Sequence, residues 1–306
     1  MMEKRTDLAL EIRESFPEDD VEISGVALKE REEQRGRIHI TTVEIRNEQG
    51  ARQMGKPIGT YVTVEFAKKY HCDSEQLQEE TREKAAKQLA EILKKMVDKQ
   101  TKNCADSVLV VGLGNRFATP DALGPFVLED IEVNRHIWKE FGKMGESGHK
   151  ISALAPGVMA QTGMESQEIL GGLIKEVSPD CLLVIDSLAS RSVNRLCTTI
   201  QITDTGICPG AGIGNNRNAL NQESLGVPVI AIGVPTVVDA GTIVSECMEE
   251  TLSGEGYDQN EIDLFLQGVS KKRVENLFVT PKDIDEQIRQ IGKVVAEGIN
   301  QFTKEV

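Results

Sequence analysis

An α/β fold with a mainly parallel mixed sheet flanked by helices, and an antiparallel β-rich lobe at the amino-terminal end, is predicted by three features of the sequence. Residues 21–66 read as three β-type runs with little helical spacing. Residues 74–98 switch to a period near three and four. After Asp106, wholly apolar runs alternate with helical patterns, which is how a parallel sheet covered on both faces is written.

The β-type runs are VEISGVAL, RIHITTVEIR and GTYVTVEF, separated by segments read as turns rich in Glu, Gln and Gly. Leu77, Ala85, Leu89, Ile92, Leu93 and Met96 then mark one face of an amphipathic helix on an otherwise charged surface. The alternation that follows runs SVLVVGL, a helix after Pro120, KISALA, a helix through Ile169 and Leu173, CLLVID, TTIQIT and VPVIAIG. Two helices close the chain, one from Val237 and one from Pro281. Each is preceded by Thr as a cap (Thr236, Thr280), with Asp239 and Asp283 at the third helical position. No repeat or interdomain linker interrupts the 306 residues, so one domain is expected.

The composition excludes several function classes. With 35 basic and 49 acidic side chains the net charge is -14, a surface that repels nucleic acid and attracts basic partners. No apolar run resembles a signal sequence or reaches the ~20 residues of a membrane span, so a cytoplasmic protein is expected. The six cysteines contain no Cys-x-x-Cys and read as structural thiols. Gly112-Leu113-Gly114 lacks the third glycine of a dinucleotide fingerprint, and no cofactor is implied. No His-Glu-x-x-His or Gly-x-Ser-x-Gly occurs, which removes the best signals for metal and Ser-His-Asp hydrolysis.

Two acids stand where chemistry is expected. In VVGLGNRFATPDALGP a strand runs into a glycine-rich turn, then Thr119 as a cap and Pro120 at the first helical position, which puts Asp121 in the first turn. Complementing the helix dipole is the plainer role for such a residue. In CLLVIDSLASRS an apolar strand stops at Asp186; it either bonds the next loop's backbone or meets Asp121 at the carboxyl edge of a parallel sheet. Two carboxylates ~4 Å apart repel by roughly 4 kcal/mol, against ~0.3–1 kcal/mol from a helix terminus, so a pair would share one proton near neutrality. One carboxylate could then activate water while the other, protonated, serves the leaving group.

Two further acids are weaker candidates. Asp204 lies in TDTGICPGAGIGNNR, whose Asp-Thr-Gly matches pepsin-type enzymes superficially; the all-β setting of those enzymes is missing, and a plain connection is preferred to a substrate-lining loop. Asp239 is explained by the capping box after Thr236.

VVGLGNxxxTPDALGP, APGVMxxTG, VIDSLASRS, ITDTGICPGAGIGN and VPVIAIGVPTVVDA, in this order, resemble the spore-germination protease family. The resemblance runs from about Arg5 to the last helix. It implies an atypical aspartic endopeptidase made as a zymogen, degrading small acid-soluble spore proteins in the forespore or spore core. It also implies a homotetramer, a fold like the hydrogenase maturation endopeptidases, and Asp121 and Asp186 as the catalytic acids. Arg5-Thr6-Asp7-Leu8-Ala9-Leu10-Glu11 resembles the acidic-apolar-Ala-x-acidic site at which that family cuts substrates and itself. Autocleavage between Asp7 and Leu8 follows, giving a propeptide of residues 1–7, a β-rich lobe of residues 8–70, and an α/β core with carboxyl-terminal helices over residues 71–306.

The propeptide is short, and the stretch between Thr251 and Thr280 is shorter than in longer members, so control of activation is where this chain departs from the pattern. Arg191 and Arg217 are candidates to hold an acidic side chain beside the cut bond. Two competing expectations are a nickel-dependent maturation-type peptidase, for which His149 is the candidate nitrogen ligand, and a non-catalytic acidic binder of basic spore proteins.

Overall fold

The computed structural model describes residues 6–14, 16, 23–33, 37–66, 79–142, 148–210, 217–268, 274 and 277–304. In chain order, a short helix α1 (Ala9–Glu14) precedes β1 (Val26–Glu33) and β2 (Ile38–Ile45), then α2 (Glu48–Met54) and β3 (Gly59–Phe66). The long α3 (Glu79–Thr101) leads to β4 (Ser107–Gly112), a single 3-10 turn at Thr119–Asp121, α4 (Leu123–Glu129), α5 (Arg135–Phe141) and β5 (Lys150–Leu154). Next come α6 (Met159–Thr162), α7 (Ser166–Val177), β6 (Cys181–Ser190), β7 (Thr199–Thr203), α8 (Gln222–Leu225) and β8 (Val229–Asp239). The chain closes with α9 (Ala240–Gly254), α10 (Gln259–Gly268), β9 (Phe278–Val279) and α11 (Ile284–Lys304).

All these strands join one sheet in the order β1-β2-β3-β7-β8-β6-β4-β5, with β9 on β8. β8, β6, β4 and β5 are parallel neighbours, while β1, β2, β3 and β7 pair antiparallel. β7 also runs antiparallel to β8. Direction therefore changes at β7, which enters from β6 through a 3-10 turn at Val193–Arg195. No crossover helix separates the two strands, and only a crossover would have kept them parallel.

The parallel strands are buried on both faces. Val108, Val110, Leu183 and Ile185 pack with α3, α4 and α11, whereas Leu109, Val111, Leu182 and Val184 pack with α7 and the α8 region. That double burial is why these strands read as continuous apolar runs. α11 and α3 lie against each other over the first face, so the helices at residues 79–101 and 284–304 form one layer.

Local chemistry differs from the sequence reading in several places. The segment between β2 and β3 is a capped helix, with the Asn47 side chain accepting from Gly50 N and Gly55 closing it in the left-handed region. Thr236 lies inside β8 and Asp239 is itself the N-cap of α9, its carboxylate accepting from Thr242 N at 3.0 Å. Thr280 Oγ1 donates to Thr236 O, and α11 begins after Asp283. Among the described cysteines, Cys181 and Cys197 are buried, while Cys104, Cys208 and Cys247 are exposed thiols rather than packing groups. Cys72, residues 67–70 of the lobe, the first turn expected at residues 74–78, and Gly212 and Gly214 lie outside the described residues.

Candidate active site

β4 and β6 are parallel neighbours, so both release the chain at the same sheet edge. β4 ends in Gly112, and Leu113 N donates to Ile185 O at 2.8 Å, holding the following turn beside β6. The turn doubles back at Gly114, whose φ of +106° lies where side chains are disfavoured. Asp121 Oδ2 then accepts from Asn115 N at 2.9 Å. Ala118, not Thr119, precedes the 3-10 turn; the Thr119 hydroxyl donates instead to Asp285 on α11. Thr236 Oγ1 donates to Pro120 O at 2.6 Å, so β8 fixes the same turn from the other side.

Asp186 sits within β6 and is buried, its Oδ1 accepting from Ser187 N at 2.9 Å. Asp121 and Asp186 line one cavity of about 260 Å³. Burial raises the Asp186 carboxyl well above the usual carboxylate range. Repulsion from Asp121 and then from Asp7 pushes it further, against the Ser187 N–H and the Arg217 guanidinium. Burial raises Asp121 as well, opposed by the Asn115 N–H and Arg217. Desolvation thus outweighs the pairwise repulsion that sequence reasoning put first.

A third acid shares the cavity. Asp7 lines it, paired with the end of β6 through Asp7 N to Ala189 O and Ala189 N to Asp7 Oδ2, both 2.9 Å. Its carbonyl oxygen accepts from Lys56 Nζ at 3.0 Å and Gln201 Nε2 at 3.1 Å. Leu8 and Ala9 are fully buried beyond it. Glu11, also fully buried, accepts from Arg191 N, Ser192 N and the Arg195 guanidinium. The segment thus passes the acids as a docked chain.

A family model described as germination protease matches residues 2–267. The chain belongs to that family. It is an endopeptidase, a hydrolase. A germination protease of Caldanaerobacter subterraneus subsp. tengcongensis is 45% identical over 313 residues, covering 97% of this chain and 93% of the relative. One from Clostridium perfringens is 41% identical over 317 residues, covering 98% and 95%, and one from Bacillus velezensis is 38% identical over 346 residues, covering 97% and 92%. Among solved structures, a [NiFe] hydrogenase maturation protease from Thermococcus kodakarensis has a TM-score of 0.32 at 16% identity, covering 68% of this chain and 98% of that one.

The protease brings together only some of the residues singled out in the sequence. Asp7, Asp121, Asp186 and Arg217 share the cavity. Pro209 and Gly210 line it too, so the glycine-rich loop taken for a plain connection borders the acids. Asp204 does not line it: the carboxylate accepts from Thr60 N, Lys99 Nζ and Gln100 Nε2, tying β7 to β3 and α3. Asp239 caps α9. Arg191 faces a neighbouring cavity, its Nε 3.5 Å from Glu246. His149 packs on Phe302, its Nδ1 3.4 Å from Thr303 O, and is not the nitrogen neighbour a nickel-type site would need at these acids. Among the described residues, no group of three His, Cys, Asp or Glu is arranged to hold a metal ion, and no helix is long and apolar enough to cross a membrane.

Sequence reasoning missed Lys56 and Gln201. Gln201 carried a faint signal, as a lone amide in the strand TTIQIT.

Proposed function

We propose that this germination protease is a self-processing aspartic-type endopeptidase in which Asp121 and Asp186 hydrolyse the bond after an acidic residue. The observation that carries the reading is the cavity shared by two acids of raised pKa and by Asp7. Asp186, the more deeply buried and the more strongly raised, holds the shared proton; Asp121, less buried, is the ionised partner. Asp121 takes a proton from water, the hydroxyl oxygen bonds the Asp7 carbonyl carbon, and Asp186 gives its proton to Leu8 N as the carbon–nitrogen bond breaks. The proton taken from water passes within the pair from Asp121 to Asp186, which restores the starting state, while the new carboxyl group gives up its own proton to the Leu8 amine.

On this reading residues 1–7 are a propeptide and the chain is a zymogen. Its substrates are small acid-soluble spore proteins, whose basic surfaces a chain of net charge -14 attracts. It acts as a homotetramer in the cytoplasm of the forespore or spore core.

The test is amino-terminal sequencing of the purified full chain and its D121N and D186N variants. Wild type is expected to acquire Leu8 as its first residue, and both variants to keep the precursor terminus and leave basic spore-protein substrates intact. Processing by either variant would refute the pair. Salt-sensitive binding of substrate without new peptide termini would instead identify an acidic binder.

A further inference from the structure

Gln201 is a buried amide in mid-sheet, opposite Thr63 on β3 and Gly233 on β8. A buried amide is costly unless both ends are bonded. Both ends of Gln201 are bonded to the same short segment: Nε2 donates to Asp7 O at 3.1 Å and Oε1 accepts from Ala9 N at 2.7 Å. The side chain thus brackets Leu8, clamping the Asp7–Leu8 peptide against β7. Lys56 reaches the same carbonyl oxygen. Gly55 ends α2 with φ of +58°, Lys56 N bonds back to Ala51 O, and the ammonium is 3.0 Å from Asp7 O. Burial lowers the Lys56 pKa, partly offset by Asp7 and Cys208, and a more acidic ammonium is a stronger donor.

From this geometry we infer that Lys56 and Gln201 form the oxyanion-stabilising pair for cleavage of the Asp7–Leu8 bond. The inference rests on the proposed cut at that bond and supplies what the acid pair leaves open. When the water oxygen bonds the Asp7 carbonyl carbon, the carbonyl electron pair moves onto its oxygen; when the bond to Leu8 N breaks, that pair returns. Lys56 Nζ and Gln201 Nε2 are already within hydrogen-bond distance of this oxygen, so two preorganised donors meet the developing charge. The Leu8 N–H donates to Thr6 Oγ1 at 3.0 Å, so both atoms of the broken bond's amide are held before reaction begins.

The test follows loss of the first seven residues by mass spectrometry in the full chain and its K56M, K56R, Q201L and D186N variants. Amide exchange of the segment 6–14 is measured in parallel. K56M is expected to slow processing by roughly 10²–10³-fold, as loss of one oxyanion donor does, with exchange at Leu8 and Ala9 unchanged. K56R retains more of the rate than K56M; Q201L is slowed too, but it also frees Ala9 N, whose exchange quickens, so K56M is the variant that separates oxyanion stabilisation from anchoring. Wild-type processing by K56M, with D186N inactive, would overturn the inference and leave the acid pair standing. Slow K56M processing accompanied by fast exchange would overturn it too, reducing Lys56 to an anchor of the segment. Normal processing by D186N, or a cut elsewhere, would remove the proposed function itself.

Discussion

Substituting Gly114 by alanine tests the site without touching an acid. A Cβ built at Gly114 would lie 1.9 Å from Asp121 O and 3.1 Å from Asp121 Oδ1, whereas ordinary contact begins near 3.4 Å. One of the two backbones must yield by about 1.5 Å, and misplacing a catalytic group by ~1 Å can cost about 10²-fold in rate. At φ of +106° a side chain adds backbone strain of about 1–3 kcal/mol. G114A should therefore lose about 10²-fold or more in the rate at which Leu8 appears as the new terminus, and 1–3 kcal/mol or somewhat more in urea unfolding. Because Asn115 N holds the Asp121 carboxylate, the shift falls on Asp121 and leaves Asp186 in place. The comparison is processing rate against unfolding midpoint for wild type and variant. A variant that folds and processes like wild type would refute the placement of Asp121 by this turn.

Three other outcomes follow. The Asp186 pKa is raised on folding, so the folded chain binds this proton more tightly than the unfolded chain, and stability falls as pH rises from the unfolded toward the folded value. D186N should melt above wild type at mildly alkaline pH, with the difference fading as pH drops toward ~3.9; a constant difference across pH would contradict this. Arg217 lowers both acids, so R217L should move both limbs of the pH–kcat/KM profile for peptide cleavage upward, and an unmoved profile would place Arg217 outside the electrostatics of the pair. R195M strips the buried Glu11 of its guanidinium partner and should cost about 3 kcal/mol in urea unfolding, with faster amide exchange in α1; unchanged stability would show that the N–H groups of Arg191 and Ser192 suffice.

The parallel strands and Asp186 were legible because burial on both faces writes a strand as an apolar run, and an acid that interrupts such a run stands out. The strand-turn-Pro pattern placed Asp121 in the turn after β4, while its candidacy as a catalytic acid came from the family resemblance. Thr119 was misread because its hydroxyl has a better partner in Asp285 than in the helix start. β7 reads like its parallel neighbours, and nothing in five residues records direction, which depends on the connection. Asp239 has the spacing of a capping box after Thr236, but β8 runs on past Gly233 to Asp239. Lys56 and Gln201 are 145 positions apart; only the meeting of β3, β7 and the terminal segment makes them neighbours, and their shared target is a backbone oxygen that any sequence possesses.

The two sides of the Asp7–Leu8 bond have separate moorings. On one side Ala189 grips Asp7 through main chain and carboxylate; on the other, buried Leu8 and Ala9 lead to Glu11 and its cluster of donors. Scission and departure are therefore distinct events. A severed amino-terminal fragment would remain seated until Ala189, Lys56 and Gln201 let go, so a nicked molecule, heavier by one water, could still sit corked by its own fragment.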